Sequence, residues 1–269
     1  MTRPFRTAWS AFAALALVSP VVLGTTVASA EPRQPVEYDA LGDSYASGYG
    51  VPPYDGLCGR SQSAYAVQVD GRMKIELDDF VACAGATTES LVAGGQLDAL
   101  DADTDLVTIS IGGNDVGWST AVTACLGGTD TQCAGALAAT RTTVTQVLPG
   151  LLDAVYTQVS ASAPEAHVVV TGYPRLFSPE HGPFLGASAA EQDALNDGAD
   201  LLNAVIAEAA ADHGFQFVDV TARFLGHGVN APDAWILGPL EPGAFHPDSD
   251  GYEAYTAAVT AAIKPSRLR

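Results

Sequence analysis

Four short segments of the 269-residue chain set polar or reactive side chains beside glycines. The first is Gly42-Asp43-Ser44-Tyr45-Ala46-Ser47-Gly48. A Ser in such a Gly-bounded turn, between a strand and a helix, can present its hydroxyl at a sheet edge as a nucleophile. The segment is not a G-x-S-x-G elbow, because position 46 is Ala, and an Asp-Ser pair there can equally cap a helix. The second is Cys83-Ala84-Gly85-Ala86-Thr87-Thr88. Gly85 lets its N–H meet a ligand without a side chain in the way, although a plain turn uses the same residue. The third, Gly112-Gly113-Asn114, is common turn chemistry whose Asn amide can also donate to a developing oxyanion. The fourth is Gly243-Ala244-Phe245-His246-Pro247, where His246 is suited to act as a base. The other histidines, His167, His181, His213 and His227, read as structural.

These segments matter only if the fold brings them together, and the strand pattern predicts that it does. Strands are expected at Val36–Leu41, Ile75–Ala82, Asp105–Ile111, Ala166–Thr171 and Phe215–Val220, each bounded by Gly, Pro or Asp. Helices are expected at Ser61–Gly71, Thr140–Ser162 with a kink at Pro149, Ala189–His213 and Asp248–Ile263. Five strands alternating with helices predict one domain built on an open parallel sheet covered on both faces. Ligands of such sheets bind at the carboxyl ends of the strands. The Ser44, Gly85 and Asn114 segments directly follow the first, second and third strands, and His246 lies beyond the fifth.

Composition narrows the partners. With 12 Lys+Arg against 31 Asp+Glu the net charge is −19, which repels phosphate backbones and excludes a nucleic-acid binder. Hydrophobic content of 48% is ordinary for a folded chain, so the charge does not signal disorder. Arg3 and Arg6, the apolar run Ala11–Leu23 and Ala28-Ser29-Ala30 read as a secretory signal peptide over residues 1–30, leaving 31–269 as the mature domain. Pro20 and the short length of the run argue against a membrane anchor. In an exported chain Cys58, Cys83, Cys125 and Cys133 are expected to form disulfides. Three pairings are open; the Gly-rich stretch between Cys125 and Cys133 favours a local clip, which leaves Cys58 for Cys83. No CxxC or suitably spaced His supports a zinc site.

Taken in order, Gly42-Asp43-Ser44, Gly85, Gly112-x-Asn114 and His246 resemble the four blocks of the SGNH, or GDSL, hydrolases. The runs Ala40–Tyr45, Ile111–Asp115, Gly172-Tyr173-Pro174-Arg175 and Phe245-His246-Pro247 resemble secreted actinomycete esterases and lipases in particular. The resemblance implies a flavodoxin-like three-layer α/β/α sandwich. It implies Ser44 as nucleophile, His246 as general base, and an oxyanion hole from the Ser44 and Gly85 N–H groups with the Asn114 side chain. It implies a secreted monomer acting on ester or lipid substrates with no cofactor or metal. A phospholipase or a carbohydrate-ester deacetylase uses the same machinery, and a non-catalytic binding module is the rival of a different class.

Two departures from the family bear on these expectations. The family usually carries an Asp three residues before its His, where this chain has Gly243. A Ser–His dyad is therefore expected, with the Gly243 carbonyl orienting the imidazole and Glu241 as the alternative acid. A third disulfide of these esterases is also missing, since neither Pro179–Gly186 nor Gly226–Trp235 contains Cys. Both loops are expected to be mobile and to border the acyl site.

Overall fold

The computed structural model describes residues 1–2, 34–263 and 268. The signal-peptide reading of residues 1–30 therefore lies almost wholly outside the described residues. Within the compact unit Gln34–Arg269, the strands are β1 (Val36–Gly42), β2 (Tyr54–Asp55), β3 (Arg60–Ser61), β4 (Ile75–Phe80), β5 (Leu106–Ser110), β6 (His167–Thr171) and β7 (Gln216–Val218). Five of them form one parallel sheet in the order β4-β1-β5-β6-β7, and β2 and β3 form a small antiparallel hairpin. Every residue of β5, Leu-Val-Thr-Ile-Ser, is buried, as expected of a central strand covered on both faces.

The helices are α1 (Ser44–Ser47), α2 (Tyr65–Val69), α3 (Thr88–Ala93), α4 (Trp118–Gly127), α5 (Asp130–Gln146), α6 (Leu148–Ser162), α7 (Ala189–Asp212) and α8 (Ser249–Ala262). Helices α2 and α8 pack together, as do α5, α6 and α7, completing a three-layer α/β/α arrangement. The inward stripe of α8 places Tyr252, Tyr255 and Val259 in the core.

Two helices differ from expectation. The segment expected to be helical from Ser61 begins at Tyr65, because Arg60 and Ser61 pair with Tyr54 and Asp55, and the Ser61 hydroxyl donates to the Val51 carbonyl at 2.5 Å. The long middle helix is two, parted at Val147, with Pro149 in the first turn of α6. Proline's missing N–H costs nothing at a helix start, so it marks a beginning there rather than a kink. Helices α3 and α4 carried no sufficient apolar period and were not expected.

Both disulfides, Cys58–Cys83 and Cys125–Cys133, are formed. The first ties the loop between β2 and β3 to the end of β4, two residues before Gly85; the second staples α4 to α5. Their sequence separations of 25 and 8 correspond to about 3.5 and about 2.5 kcal/mol of loop-closure stabilisation in the chain-entropy account. Among the described residues, no helix is long and apolar enough to cross a membrane.

Candidate active site

Ser44 sits where β1 turns into α1. Asp43 caps that helix, its Oδ1 accepting from the Tyr45 N–H at 3.0 Å. Gly42 has φ +129°, and a Cβ there would lie 2.3 Å from the Ser110 carbonyl. Only glycine permits β1 to run this close to β5 and still make the turn. Gln96, which sequence reasoning missed, holds both sides of Gly42: its Oε1 accepts from the Gly42 N–H at 2.8 Å and its Nε2 donates to the Gly42 carbonyl at 3.0 Å. Ser44 is 8% exposed.

The Ser44 hydroxyl lies 2.7 Å from His246 Nε2. The other ring nitrogen, Nδ1, lies 3.0 Å from the Ala244 carbonyl and 3.2 Å from the Gly243 carbonyl. Carbonyls only accept, so a neutral imidazole here carries its proton on Nδ1 and offers Nε2 to the serine. Burial pushes the His246 pKa below 6.5, and the two carbonyls offset part of that shift. The expected Gly243 contact is thus present but shared, and the Ala244 carbonyl is the nearer one. Glu241 is turned away, its Oε2 accepting from the Gly238 N–H at 2.5 Å, and Asp248 caps α8 through Gly251.

The His246 segment is held on several sides. Tyr45 donates its hydroxyl to the Phe245 carbonyl at 2.7 Å, although Phe245 adopts φ +62°. Leu237 pairs with Phe245 and His246 through its carbonyl and N–H, each at 2.9 Å. Gly243, with φ +88°, lies so near Gly50 that a Cβ would come within 2.5 Å of the Gly50 Cα. The imidazole is flanked by Tyr45 and Tyr49, at 5.0 and 5.1 Å between ring centroids.

Asn114 Nδ2 donates to the Ala86 carbonyl at 2.8 Å, which ties the amide to the residue after Gly85. An amide nitrogen carries two protons, so this bond orients the group and leaves a second N–H for another acceptor. Asp115 binds the same loop through the Thr88 hydroxyl at 2.6 Å and the Thr88 N–H at 3.1 Å.

Asp43 is fully buried, and burial pushes its pKa up to about 7 despite hydrogen bonds from Tyr173 and backbone amides. Tyr173 donates to Asp43 Oδ2 at 2.6 Å and accepts from the Gly113 N–H at 3.0 Å. Both residues stand in runs that the sequence singled out, but no sequence signal joined them. The remaining histidines have local partners: His213 with Asp153, His167 with Gln216, His181 with Glu180 at 3.8 Å, and His227 with Asp233 while stacked on Trp235.

An apolar hollow is lined by Tyr45 and Gly113, the sequence neighbours of Ser44 and Asn114, together with Tyr173, Trp118 of α4 and Phe177. Trp118 and Phe177 pack against Phe245, the neighbour of His246, at 6.3 and 6.2 Å between centroids. The loops Pro179–Gly186 and Gly226–Trp235 are not among its lining residues; Leu176 and Phe177 are. Where the family's third disulfide is missing, Ser178 and Asn230 exchange two hydrogen bonds, of 2.8 and 2.9 Å, and Gly228 donates to the Ser178 hydroxyl at 3.0 Å. Away from this site, Asp39, Asp78 and Asp79 are the described carboxylates close enough to share a cation, but Asp39 already accepts from Thr104 and the Asp79 N–H.

Known proteins resemble the chain along most of its length. A model of the GDSL-like lipase/acylhydrolase family matches residues 40–254. A lipase of Streptomyces rimosus is 38% identical over 252 residues, spanning 91% of this chain and 94% of that protein. A crystal structure of phospholipase A1 from Streptomyces albidoflavus superposes with a TM-score of 0.80 at 37% identity, covering 85% of this chain and 100% of that one. The extracellular lipase of Streptomyces rimosus has the same TM-score, 0.80, at 36% identity, with 85% and 100% covered.

Proposed function

We propose a Ser44–His246 mechanism for this chain, which belongs to the GDSL-like lipase/acylhydrolase family and is an ester hydrolase. The observation that carries the reading is the 2.7 Å contact between Ser44 Oγ and His246 Nε2. His246 takes the serine proton as Oγ attacks the ester carbonyl carbon. The Ser44 and Gly85 N–H groups and the Asn114 amide stabilise the oxygen that becomes negative, each donor contributing about 10²–10³ in rate. Collapse breaks the ester C–O bond, and His246 gives its proton to the departing alkoxide. Water then attacks the acyl-serine with His246 again as base, releasing the acid and restoring the hydroxyl.

The Ala244 and Gly243 carbonyls hold the tautomer in place of a carboxylate. A carbonyl stabilises the imidazolium less than a carboxylate does, so a dyad relies more on its oxyanion donors. All four groups come from one chain, which suits a monomer. No step calls for a metal or a cofactor. The signal-like segment 1–30 and the two disulfides support secretion.

A lipid ester is the favoured substrate because the hollow lined by Tyr45 and Gly113, the neighbours of Ser44 and Asn114, is apolar, which an acetyl group on a sugar does not need. Among lipids, a phospholipid is a second reading, supported by similarity to the Streptomyces albidoflavus phospholipase A1. The test is labelling of Ser44 by an organophosphonate, located by mass spectrometry, alongside turnover of lipid and sugar esters. Absence of both labelling and turnover in folded protein rejects the reading and favours a binding module.

A further inference from the structure

A second hollow, of about 340 Å³, shares no lining residue with the apolar one. Gly85 lines it directly; this glycine is exposed, and a Cβ there would meet nothing within 4 Å, so its face is open to a ligand. Ala86 is also in the wall, and its carbonyl accepts from the Asn114 amide. Gln96 lines the hollow too, and the same side chain clamps Gly42, two residues before Ser44. The Gly85, Asn114 and Ser44 segments, which supply the oxyanion donors in the proposed mechanism, thus line this space or bond to its wall.

Among the described residues, Arg60 is the one charged side chain that lines the hollow. A cation here stands against the field of a chain whose net charge is −19. Arg60 is half-buried on β3, and Asp55 faces it in the hairpin register, yet the two form no ion pair. A guanidinium left unpaired offers five N–H donors in a planar fork that matches a phosphate or a carboxylate. Its position is fixed from two directions. The Cys58–Cys83 bridge and the Ala84 N–H, which donates to the Cys58 carbonyl at 2.9 Å, tie the preceding loop to the Gly85 segment. Gly59 packs so tightly on Tyr49 that a Cβ would lie 2.7 Å from that ring, which flanks His246.

We propose that the Arg60 hollow is an anion subsite for the alcohol portion of the substrate: the guanidinium binds a phosphate or carboxylate carried on the alcohol, beside the Gly85 loop. This rests on the ester-hydrolase reading and specifies its substrates as esters whose alcohol bears an oxyanion a few bonds from the scissile oxygen. Arg60 touches the substrate but not the reacting atoms. It therefore selects among esters and leaves the bond-breaking step to Ser44 and His246.

The experiment measures kcat and KM for esters that share one acyl group: monobutanoylglycerol, monobutanoylglycerol phosphate, the butanoate ester of hydroxypropanoate, and butanoylcholine. The wild type is expected to favour the anionic esters over monobutanoylglycerol by about tenfold or more in kcat/KM, mostly through KM, as one charge-assisted contact provides. Butanoylcholine should be the poorest, although the acidic surface attracts it. Arg60→Gln brings the anionic-to-neutral ratio toward one, and Arg60→Lys restores part of it, as a point charge without the fork. Salt raised to about 1 M, where the Debye length is about 3 Å, shrinks the wild-type ratio. Preference for either anion or for both supports the subsite and tells phosphate from carboxylate. If Arg60→Gln does not fold, Arg60→Lys and the salt titration decide. No anionic preference in the wild type, a preference for butanoylcholine, a ratio unmoved by Arg60→Gln, or an equal loss on every ester overturns the subsite and leaves the hydrolase reading intact. Failure of the wild type to turn over any ester defeats the hydrolase reading itself.

Discussion

The Tyr173 hydroxyl donates to Asp43 at 2.6 Å while accepting from the Gly113 N–H at 3.0 Å. One phenol thus links the residue before Ser44 to the residue before Asn114, and so joins the Ser44 turn to the Asn114 loop. Tyr173 touches neither reacting atom; it is a positioning residue. Tyr173→Phe is expected to lower kcat by about tenfold or more with KM nearly unchanged, because small misplacements of reacting groups cost rate. The buried partners it abandons cost about 1–3 kcal/mol in stability. Thermal melts and steady-state kinetics separate the two effects: a loss of stability with unchanged kcat assigns Tyr173 to folding alone.

Asp43 gives that link a pH dependence. Its carboxyl shifts from an ordinary 3.8 up to about 7 because it is buried. The unfolded chain therefore releases this proton well before the folded one does. The stability it contributes is complete below about pH 4 and is lost as pH rises toward and through about 7. Asp43→Asn cannot titrate, so the stability difference between wild type and Asp43→Asn, followed by denaturant melts, should fall across that window. A difference that is flat with pH shows that Asp43 stays charged and is well solvated by its hydrogen bonds.

The Ser44–His246 pair should behave as a unit. Ser44→Ala, His246→Ala and the double variant are each expected to lose about 10⁴-fold or more in kcat, with no further loss on combination. Glu241→Gln is expected to stay within about twofold of wild type, because the Glu241 carboxylate is occupied by the Gly238 N–H rather than by the imidazole. A Glu241→Gln defect as deep as that of His246→Ala would replace the carbonyl-held dyad with a triad.

Much of this site was legible in the residue order because it is built at strand ends. The short, mostly apolar and β-branched run Leu106–Ile111 reads as a buried strand, which places Gly112–Asn114 at its carboxyl end. The Ser44 turn was legible for the same reason. What stayed hidden depends on contacts distant in sequence or on main-chain atoms. Tyr173 reaches Asp43 across 130 positions, and Gln96 meets Gly42 across 54, with no periodic pattern to announce either. The Ala244 carbonyl belongs to a residue whose side chain carries no chemistry. Helix α4, Trp-Ser-Thr-Ala-Val-Thr-Ala-Cys-Leu-Gly, mixes β-branched and small residues, so propensity argued against a helix that tertiary packing and the Cys125–Cys133 bridge enforce.

Proton uptake by His246 should set the acid limb of activity. A protonated imidazole cannot accept from Ser44, so kcat/KM falls as pH drops through the His246 pKa. Burial holds that value below the ordinary 6.5. The acid limb in kcat/KM is therefore expected below pH 6.5, and full activity should persist at neutral pH. A limb centred above 6.5 would mean that the carbonyl contacts outweigh burial, or that a different group controls the rate.

Asn114 tests whether the third donor acts on the transition state. Its amide already gives one proton to the Ala86 carbonyl, so the side chain is oriented before any substrate arrives. A donor held this way costs little reorganisation when charge develops. Asn114→Ala is expected to lower kcat by about 10²–10³-fold with little change in KM, because the ground-state carbonyl oxygen needs the donor less than the tetrahedral oxyanion does. Asn114→Asp keeps the shape but replaces the donor with an acceptor bearing negative charge, and it should be at least as damaging. Phosphonylation of Ser44 passes through a related anionic centre, so both variants should also label more slowly. Should Asn114→Ala instead raise KM at constant kcat, the amide binds substrate rather than the transition state, and the Ser44 and Gly85 N–H groups hold the oxyanion without it.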